Sequence, residues 1–364
     1  MAMRKRFRKM FRLIVLCVIT GWIYGCEKAA GQASAGPSSG IPSTTLRVAS
    51  WNVENLFDTV DDPANPGDDE FTPNGPMKWT ESVYRKKLDH LAKIIAEMKP
   101  DIIGLCEVEN RRVLVDLQQT LATAYDYHLP EIIHREGKDR RGIDVAMLAK
   151  LKPSASRWMT ANPTAREMLC STFSMGSSDL TVIMCHWKSK MIPAGMVEAD
   201  SDNMRIREAR VMRRAVEKIL RKKPDAAVVV MGDLNDNVTS PILTENGGLL
   251  ASRKKLKTTP FSLYNLSADF PEAERGTYYY HPKKIWNSFD SISVSSAMLD
   301  ETRQDTWTVQ KGSYQIFKHP NHLNANNTPK AFRLFRPKEG ERYYIYGYSD
   351  HFPVTVTLER KVRE

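Results

Sequence analysis

Cysteine is scarce in this chain of 364 residues: there are five, at Cys17, Cys26, Cys106, Cys170 and Cys185. Their spacing fits no metal-ligand pattern, and the last three cannot all pair with one another. A disulfide-stapled scaffold and a thiolate zinc centre are therefore excluded as organising features. Cys106 and Cys185 lie within apolar runs and read as small buried hydrophobes. No run of apolar residues long enough to cross a membrane comfortably is present either; Leu13 to Ile23 falls short. A strong excess of one charge is also missing. The chain carries 53 basic and 43 acidic residues, but six of the bases precede Cys26, which leaves 47 against 43. So mild a balance does not by itself point to nucleic acid.

The first 26 residues read as an address. Arg4, Lys5, Arg6, Arg8, Lys9 and Arg12 form a basic segment with no acid among them, and the short apolar run follows. It ends at Ile23-Tyr24-Gly25-Cys26, which resembles the lipobox of bacterial lipoproteins, where the cysteine is lipidated. The expected organisation is a signal peptide over 1–25, a lipidated tether over 26–45 rich in Ala, Gly, Ser and Pro, and one domain over 46–364. The protein is then expected to be exported and held by Cys26 on a bacterial membrane, on the periplasmic side or the cell surface. More than one acyl chain, at ~0.8 kcal/mol per buried CH₂, would make that anchor stable.

The domain reads as α/β. Trp79 to Met98 places Leu88, Leu91, Ile94, Ile95 and Met98 at helical spacing. Lys99-Pro100-Asp101 ends that helix, and the apolar run Ile102 to Cys106 is a buried strand that finishes at Glu107. The same order returns in a basic helix over Arg205 to Lys222, then Lys223-Pro224-Asp225, then the strand Ala226 to Val230, which runs through Gly232 to Asp233. Two such units predict two similar halves, each bringing an acid to one edge. Two sheets packed face to face with helices outside make a four-layer α/β sandwich of mixed sheets. Asp233 and Asn235 lie two apart beyond a strand end, where open α/β sheets hold ligands. Strands are also expected at Leu46–Phe57, over Arg140–Leu148, entered through a charged turn, and at Leu180–Lys190, which carries His186 beside Trp187, Lys188 and Lys190. A lone histidine at a strand end is usually structural; the reading changes because other segments end in matching chemistry. Asp58 to Pro76, with five acids besides Asp58 among prolines and glycines, reads as a solvated loop. Ser296 to Glu341 shows no assignable pattern.

Trp51-Asn52-Val53-Glu54, Leu105-Cys106-Glu107-Val108-Glu109-Asn110, His186-Trp187, Gly232-Asp233-Leu234-Asn235, Asp290 and Ser349-Asp350-His351 occur in one order. With them the chain resembles the endonuclease/exonuclease/phosphatase superfamily, of deoxyribonuclease I-like fold, over roughly Leu46 to Leu358. Each motif alone is weak; six in order are strong. The resemblance implies a metal-dependent phosphoesterase using Mg²⁺, or Mn²⁺, with Glu107 as the main ligand and Asn52, Glu54 and Asp350 close by. It implies that Asp233 positions or deprotonates a water and that Asn235 holds it or a phosphate oxygen. His351 paired with Asp290, and His186, complete the catalytic set. Arg141, Lys188 and Lys190 lie on segments expected to reach the rim and bind substrate phosphates. The leading expectation is an exported nuclease. A lipid-directed phosphodiesterase or small-phosphoester phosphatase is the alternative, and a non-enzymatic surface lipoprotein a distant third. A calcineurin-like metallophosphatase is disfavoured because its Gly-Asn-His signature is missing. No protein partner is inferred, and a monomer is expected.

Overall fold

The computed structural model describes residues 45–361 apart from 177, 192–196 and 338. The signal peptide, the tether and Cys26 lie outside the described residues. In chain order the first part contains β1 (Thr45–Leu56), α1 (Glu81–Met98), β2 (Ile102–Val108), α2 (Arg111–Tyr125), β3 (Glu131–Ile133) and β4 (Asp144–Ala149). Then follow β5 (Ala155–Met159), β6 (Met168–Met175), β7 (Ser178–His186), α3 (Glu198–Lys222) and β8 (Ala227–Asp233). The last part holds β9 (Leu249–Leu250), α4 (Arg253–Leu256), β10 (Leu263–Asn265), β11 (Tyr278–Tyr280), β12 (Ile285–Asn287) and β13 (Asp290–Ser295). It closes with β14 (Trp307–Val309), β15 (Gln315–Ile316), β16 (Phe332–Phe335), β17 (Tyr343–Tyr346) and β18 (Val354–Arg360).

These strands make two seven-stranded mixed sheets. The first runs β14-β18-β1-β2-β4-β3, with β15 also on β18; the second runs β5-β6-β7-β8-β13-β10-β9. Strand alternation divides each sheet's apolar residues between two faces. Val48, Ile102, Met147 and Val356 of the first sheet meet Val182, Met184, Val229, Met231 and Ile292 of the second in a central core. Their neighbours Ala49, Trp51, Ile103, Leu105 and Leu148 face the other way, under α1 and α2. Val228, Val230, Ile183 and Cys185 do the same beneath α3. The result is the four-layer sandwich that the two-unit pattern predicts. At Gly104 the sheets come so close that a Cβ would overlap Met184.

The repeated tripeptide stops both helices by the same physics. A residue before proline is pushed out of the helical region. Lys99 ends α1 in the left-handed region and Lys223 ends α3 in an extended one, each still donating its N–H to a carbonyl four back, of Ile95 or Ile219. Side chains cap the starts: Thr80 accepts from Val83 N–H for α1, and Asn110 from Val113 N–H for α2. In both units the flanking strands are parallel: β1 with β2, and β7 with β8.

Two expectations need correcting. The segment after Asp58 is not simply solvated: Asp58 and Asp68 are buried, Asp68 receives the N–H of Asp62 at 2.9 Å, and Phe57 stacks on Phe71 with centroids 4.0 Å apart. Phe71 within the segment packs on Phe57, just past the end of β1, and on Trp79, which ties the segment to the core. Ser296 to Glu341, which lacks a readable pattern, contributes β14 and β15 to the first sheet and β16 to a hairpin with β17. Its strands are only two to four residues long, too short to show a period. Among the described residues no helix is long and apolar enough to cross a membrane.

Candidate active site

The site lies where the ends of the two sheets meet. From the first come Asn52, Glu54, Glu107, Asp350 and His351; from the second come His186, Asp233, Asn235 and Asp290. Within the second sheet, register alone aligns three of them, since His186 pairs with Asp233 across β7–β8 and Asp290 with Asp233 across β8–β13. Gly232 makes that approach possible: its φ is +139°, and a Cβ there would overlap the carbonyl of Cys185. In the first sheet the site residues sit at irregularities. The β1–β2 register shifts between Asn52 and Leu56, and the β2–β4 register between Cys106 and Val108. Glu54, Asn55 and Glu107 take φ of +55°, +58° and +65°, and Asn235 takes +49°. Four non-glycine residues in a costly conformation at one edge mark a place where the fold tolerates strain to aim side chains.

Contacts then cross the seam. Asn52 Nδ2 donates to Asp233 Oδ2 at 3.0 Å. His351 Nδ1 lies 2.7 Å from Asp290 Oδ2, so the expected pair is formed. Asp233 Oδ2 sits between the two histidines, 3.6 Å from His186 Nε2 and 3.9 Å from His351 Nε2. His186 Nε2 is also 3.9 Å from Glu107 Oε1. The segment carrying His351 is held from several sides. Trp51 Nε1 donates to the His351 carbonyl, Ser349 Oγ donates to the Asn52 carbonyl and accepts from His351 N–H, and Lys87 Nζ donates to the Tyr348 carbonyl. Asn235 is fixed in turn, its N–H on Asp233 Oδ1 and its Nδ2 on the Trp187 carbonyl.

Electrostatics separate the two histidines. Burial would depress the His351 imidazolium, but the Asp290 and Asp233 carboxylates outweigh it and lift His351 well above the ordinary histidine value. For His186, burial and then the Arg166, Arg141 and His351 charges all act in one direction, driving it well below that value. One ring is thus held as imidazolium and the other neutral, 3.9 Å and 3.6 Å from the same carboxylate. Asp233 itself is raised to about 6, chiefly by burial, with His351 opposing and Asp290 adding to the rise. Environments that push neighbouring groups apart in this way assign acid and base roles.

The rim residues separate too. Arg141 reaches the site: its Nη2 donates to Asn55 Oδ1 at 2.7 Å and its Nη1 lies 3.6 Å from Glu107 Oε1. Lys190 is committed elsewhere, its Nζ 2.7 Å from Asp236. Lys188 is half-buried, and its N–H donates to Glu208. Glu54 and Asp350 are joined by Arg333, whose Nη2 lies 3.0 Å from Glu54 Oε1 and 3.3 Å from Asp350 Oδ2; Phe332 N–H donates to Glu54 Oε2 at 2.6 Å. Arg333, the buried Arg166 and Tyr278, whose ring lies 4.8 Å from that of His351, escaped the sequence reading. None sits in a recognisable motif.

The donors suit a hard divalent cation. Glu107 and Asn52 offer oxygens, with Asp350 nearby and Glu54 already bonded through both oxygens to Phe332 N–H and Arg333. Among the described residues no thiolate competes, because Cys106 points its Sγ at the Cys185 carbonyl between the sheets and burial keeps it protonated. Asp290 Oδ1 and His186 Nδ1 are buried without a hydrogen-bond partner.

Two mixed sheets meeting at such an edge define a deoxyribonuclease I-like α/β sandwich. The chain belongs to the Endonuclease/Exonuclease/phosphatase family, whose model matches residues 47–360. Among solved structures it resembles a humanized D. rerio TDP2 at 17% identity and a TM-score of 0.52, covering 87% of this chain and all of that one. It likewise resembles C. elegans TDP2, at 15% identity and 0.52 over 86% of this chain and 75% of that one. D. rerio TDP2 complexed with a single-strand DNA product matches at 17% and 0.51, over 87% and 100%. At these identities the likeness establishes the fold. No curated protein sequence matches the chain.

Proposed function

We propose that the protein is a phosphodiesterase dependent on Mg²⁺ or Mn²⁺ that cleaves nucleic acid. The observation that carries it is the buried Asp233 flanked by one charged and one neutral histidine. Glu107 and Asn52 would hold the cation, which would supply charge neutralisation at the phosphoryl oxygens, while Glu54 and Asp350 are engaged by Arg333. Asp233 orients a water and takes its proton, and Asn235 steadies that water or a phosphate oxygen. His351, kept protonated by Asp290, donates toward the developing charge, and neutral His186 accepts or donates without adding charge. Arg141 contacts a phosphate at the rim. Nucleic acid leads because a protein of this fold, D. rerio TDP2, was solved with a single-strand DNA product.

A second reading rests on a separate observation. The acidic segment after Asp58 packs at Gly67 and Asn65 against the Arg141–Gly142 turn, so its exposed Asp61, Asp62, Asp69 and Glu70 belong to the element beside the rim. A polyanion is disfavoured there. A lipid headgroup or small phosphoester, with one phosphate to place, is not. The basic segment and Cys26 support export and a lipid anchor, which a Cys26→Ala variant would convert to a soluble protein. The test of function is purified protein with Mg²⁺ against DNA, RNA, sphingomyelin and a phosphoinositide, each repeated in excess EDTA. Turnover of nucleic acid alone supports the first reading, and turnover of a lipid headgroup alone supports the second. Full activity in EDTA sinks both.

A further inference from the structure

The hairpin β16–β17 brings one cation into the site. Phe332, at its root, is buried against Trp79, Tyr344 and Tyr346, and Lys87 lies 5.0 Å from its ring, so the strand is fixed by packing. Its N–H and the next side chain then take both oxygens of Glu54, and Arg333 reaches on to Asp350. Only Nη2 of the guanidinium makes these bonds. The side chain stays 45% exposed. Two carboxylates hold a planar, permanently charged group while the rest of its fork remains for a ligand.

Resting on the phosphoesterase reading, we propose that Arg333 is a catalytic residue: it binds a phosphoryl oxygen of the substrate and takes the electrostatic place of a second divalent cation. The chain would then work with one ion, at Glu107 and Asn52, while Glu54 and Asp350 serve to aim the arginine. A purely structural salt bridge would instead tie the hairpin down and leave ion count and chemistry untouched. The geometry favours the first, because the backbone N–H of Phe332 and the packed ring already fix the hairpin without the arginine.

The experiment uses the full-length protein, and Arg333→Ala, Arg333→Met and Arg333→Lys variants, with Tm measured for each. Bound Mn²⁺ is counted by titration calorimetry, and kcat/KM is read on bis-p-nitrophenyl phosphate, a diester with a single phosphate. Wild type should bind one Mn²⁺. Arg333→Ala, or Arg333→Met if alanine does not fold, should lose on the order of 10²–10³ in kcat/KM and gain a second, weaker Mn²⁺. Added guanidinium should restore part of the alanine variant's rate, and Arg333→Lys should restore little. Two ions in wild type, wild-type kcat/KM in the folded variants, or no recovery with guanidinium would each overturn the assignment. Wild type that cleaves no phosphoester would refute the phosphoesterase reading, and the Mn²⁺ count would still judge whether Arg333 excludes a second ion.

Discussion

The units β1–α1–β2 and β7–α3–β8 carry the same parts in the same order, yet they deliver acids of different character. Asp233 stays in regular register, opposite His186 and Asp290, and its side chain is only 2% exposed. Glu107 sits on a register shift with a left-handed backbone, its side chain 12% exposed and within reach of Arg141. Regular pairing seals a carboxylate between neighbours, where burial raises its pKa and fits it to handle a proton. At Glu107 the irregularity leaves the carboxylate less enclosed and within reach of Arg141, where on the proposed reading it would meet a cation. Similar parts thus give acids of different enclosure, and on the proposed reading that difference separates the proton-handling carboxylate from the cation ligand.

That contrast can be broken in order of effect. The largest expected loss lies on the proton-handling side. Asp290→Asn or His351→Ala should each cost on the order of 10²–10⁴ in kcat, and the double variant little more than the worse single one. Additive losses in that cycle would show that the two residues work independently. On the cation side, Glu107→Gln should keep its Tm, weaken Mn²⁺ binding by calorimetry, and lose on the order of 10²–10³ in turnover. Unchanged Mn²⁺ affinity would remove Glu107 from its role.

A pH series sharpens the comparison further. Asp233 titrates at about 6 in the fold because it is buried, and as a base it must be ionised, so kcat/KM should fall as pH drops below about 6. Stability runs the other way. The folded state takes up this proton more readily than the unfolded chain, whose carboxylate titrates near ~3.9. The group's contribution is therefore full at low pH and lost as pH rises through about 6. Asp233→Asn should flatten this part of the Tm-versus-pH curve and abolish the activity limb; a limb that survives in the variant assigns it to another group. The smallest effect belongs to the rim. Arg141→Ala should reduce the salt dependence of kcat/KM on an oligonucleotide by roughly 0.7–0.9 of a log unit for each phosphate it no longer neutralises. A profile already flat in wild type would favour the single-phosphate substrates.

Much of this architecture was legible because strands buried on both faces read as unbroken apolar runs, as Ile102–Cys106 and Ala227–Met231 do. The ends of those runs named Glu107 and Asp233, and short motifs named the remaining site residues. What stayed hidden was of two kinds. The bulges that aim Glu54 and Glu107 leave no trace in residue type, since only a register shared with another strand defines them. Arg333 and Arg166 reach the site from segments whose neighbours carry no pattern, and a partner 279 positions away, as Glu54 is from Arg333, has no local signature. Lys190 shows the converse. Its sequence neighbourhood suggested a phosphate contact, and in the fold its Nζ pairs with Asp236, a residue the sequence did not single out for it.

The seam between the sheets has a consequence for anyone who would alter this protein away from its cleft. Five of the candidate site residues come from the first sheet and four from the second, so the spacing across the site depends on how the two sheets pack. A Cβ added at Gly104 would lie 2.3 Å from Met184 Sδ and 2.8 Å from Met231 Cε, so a single methyl there would have to displace those side chains or move one sheet against the other. Such a protein can lose its chemistry while every strand remains in place. The two buried methionines act as a shim between the two halves of the site.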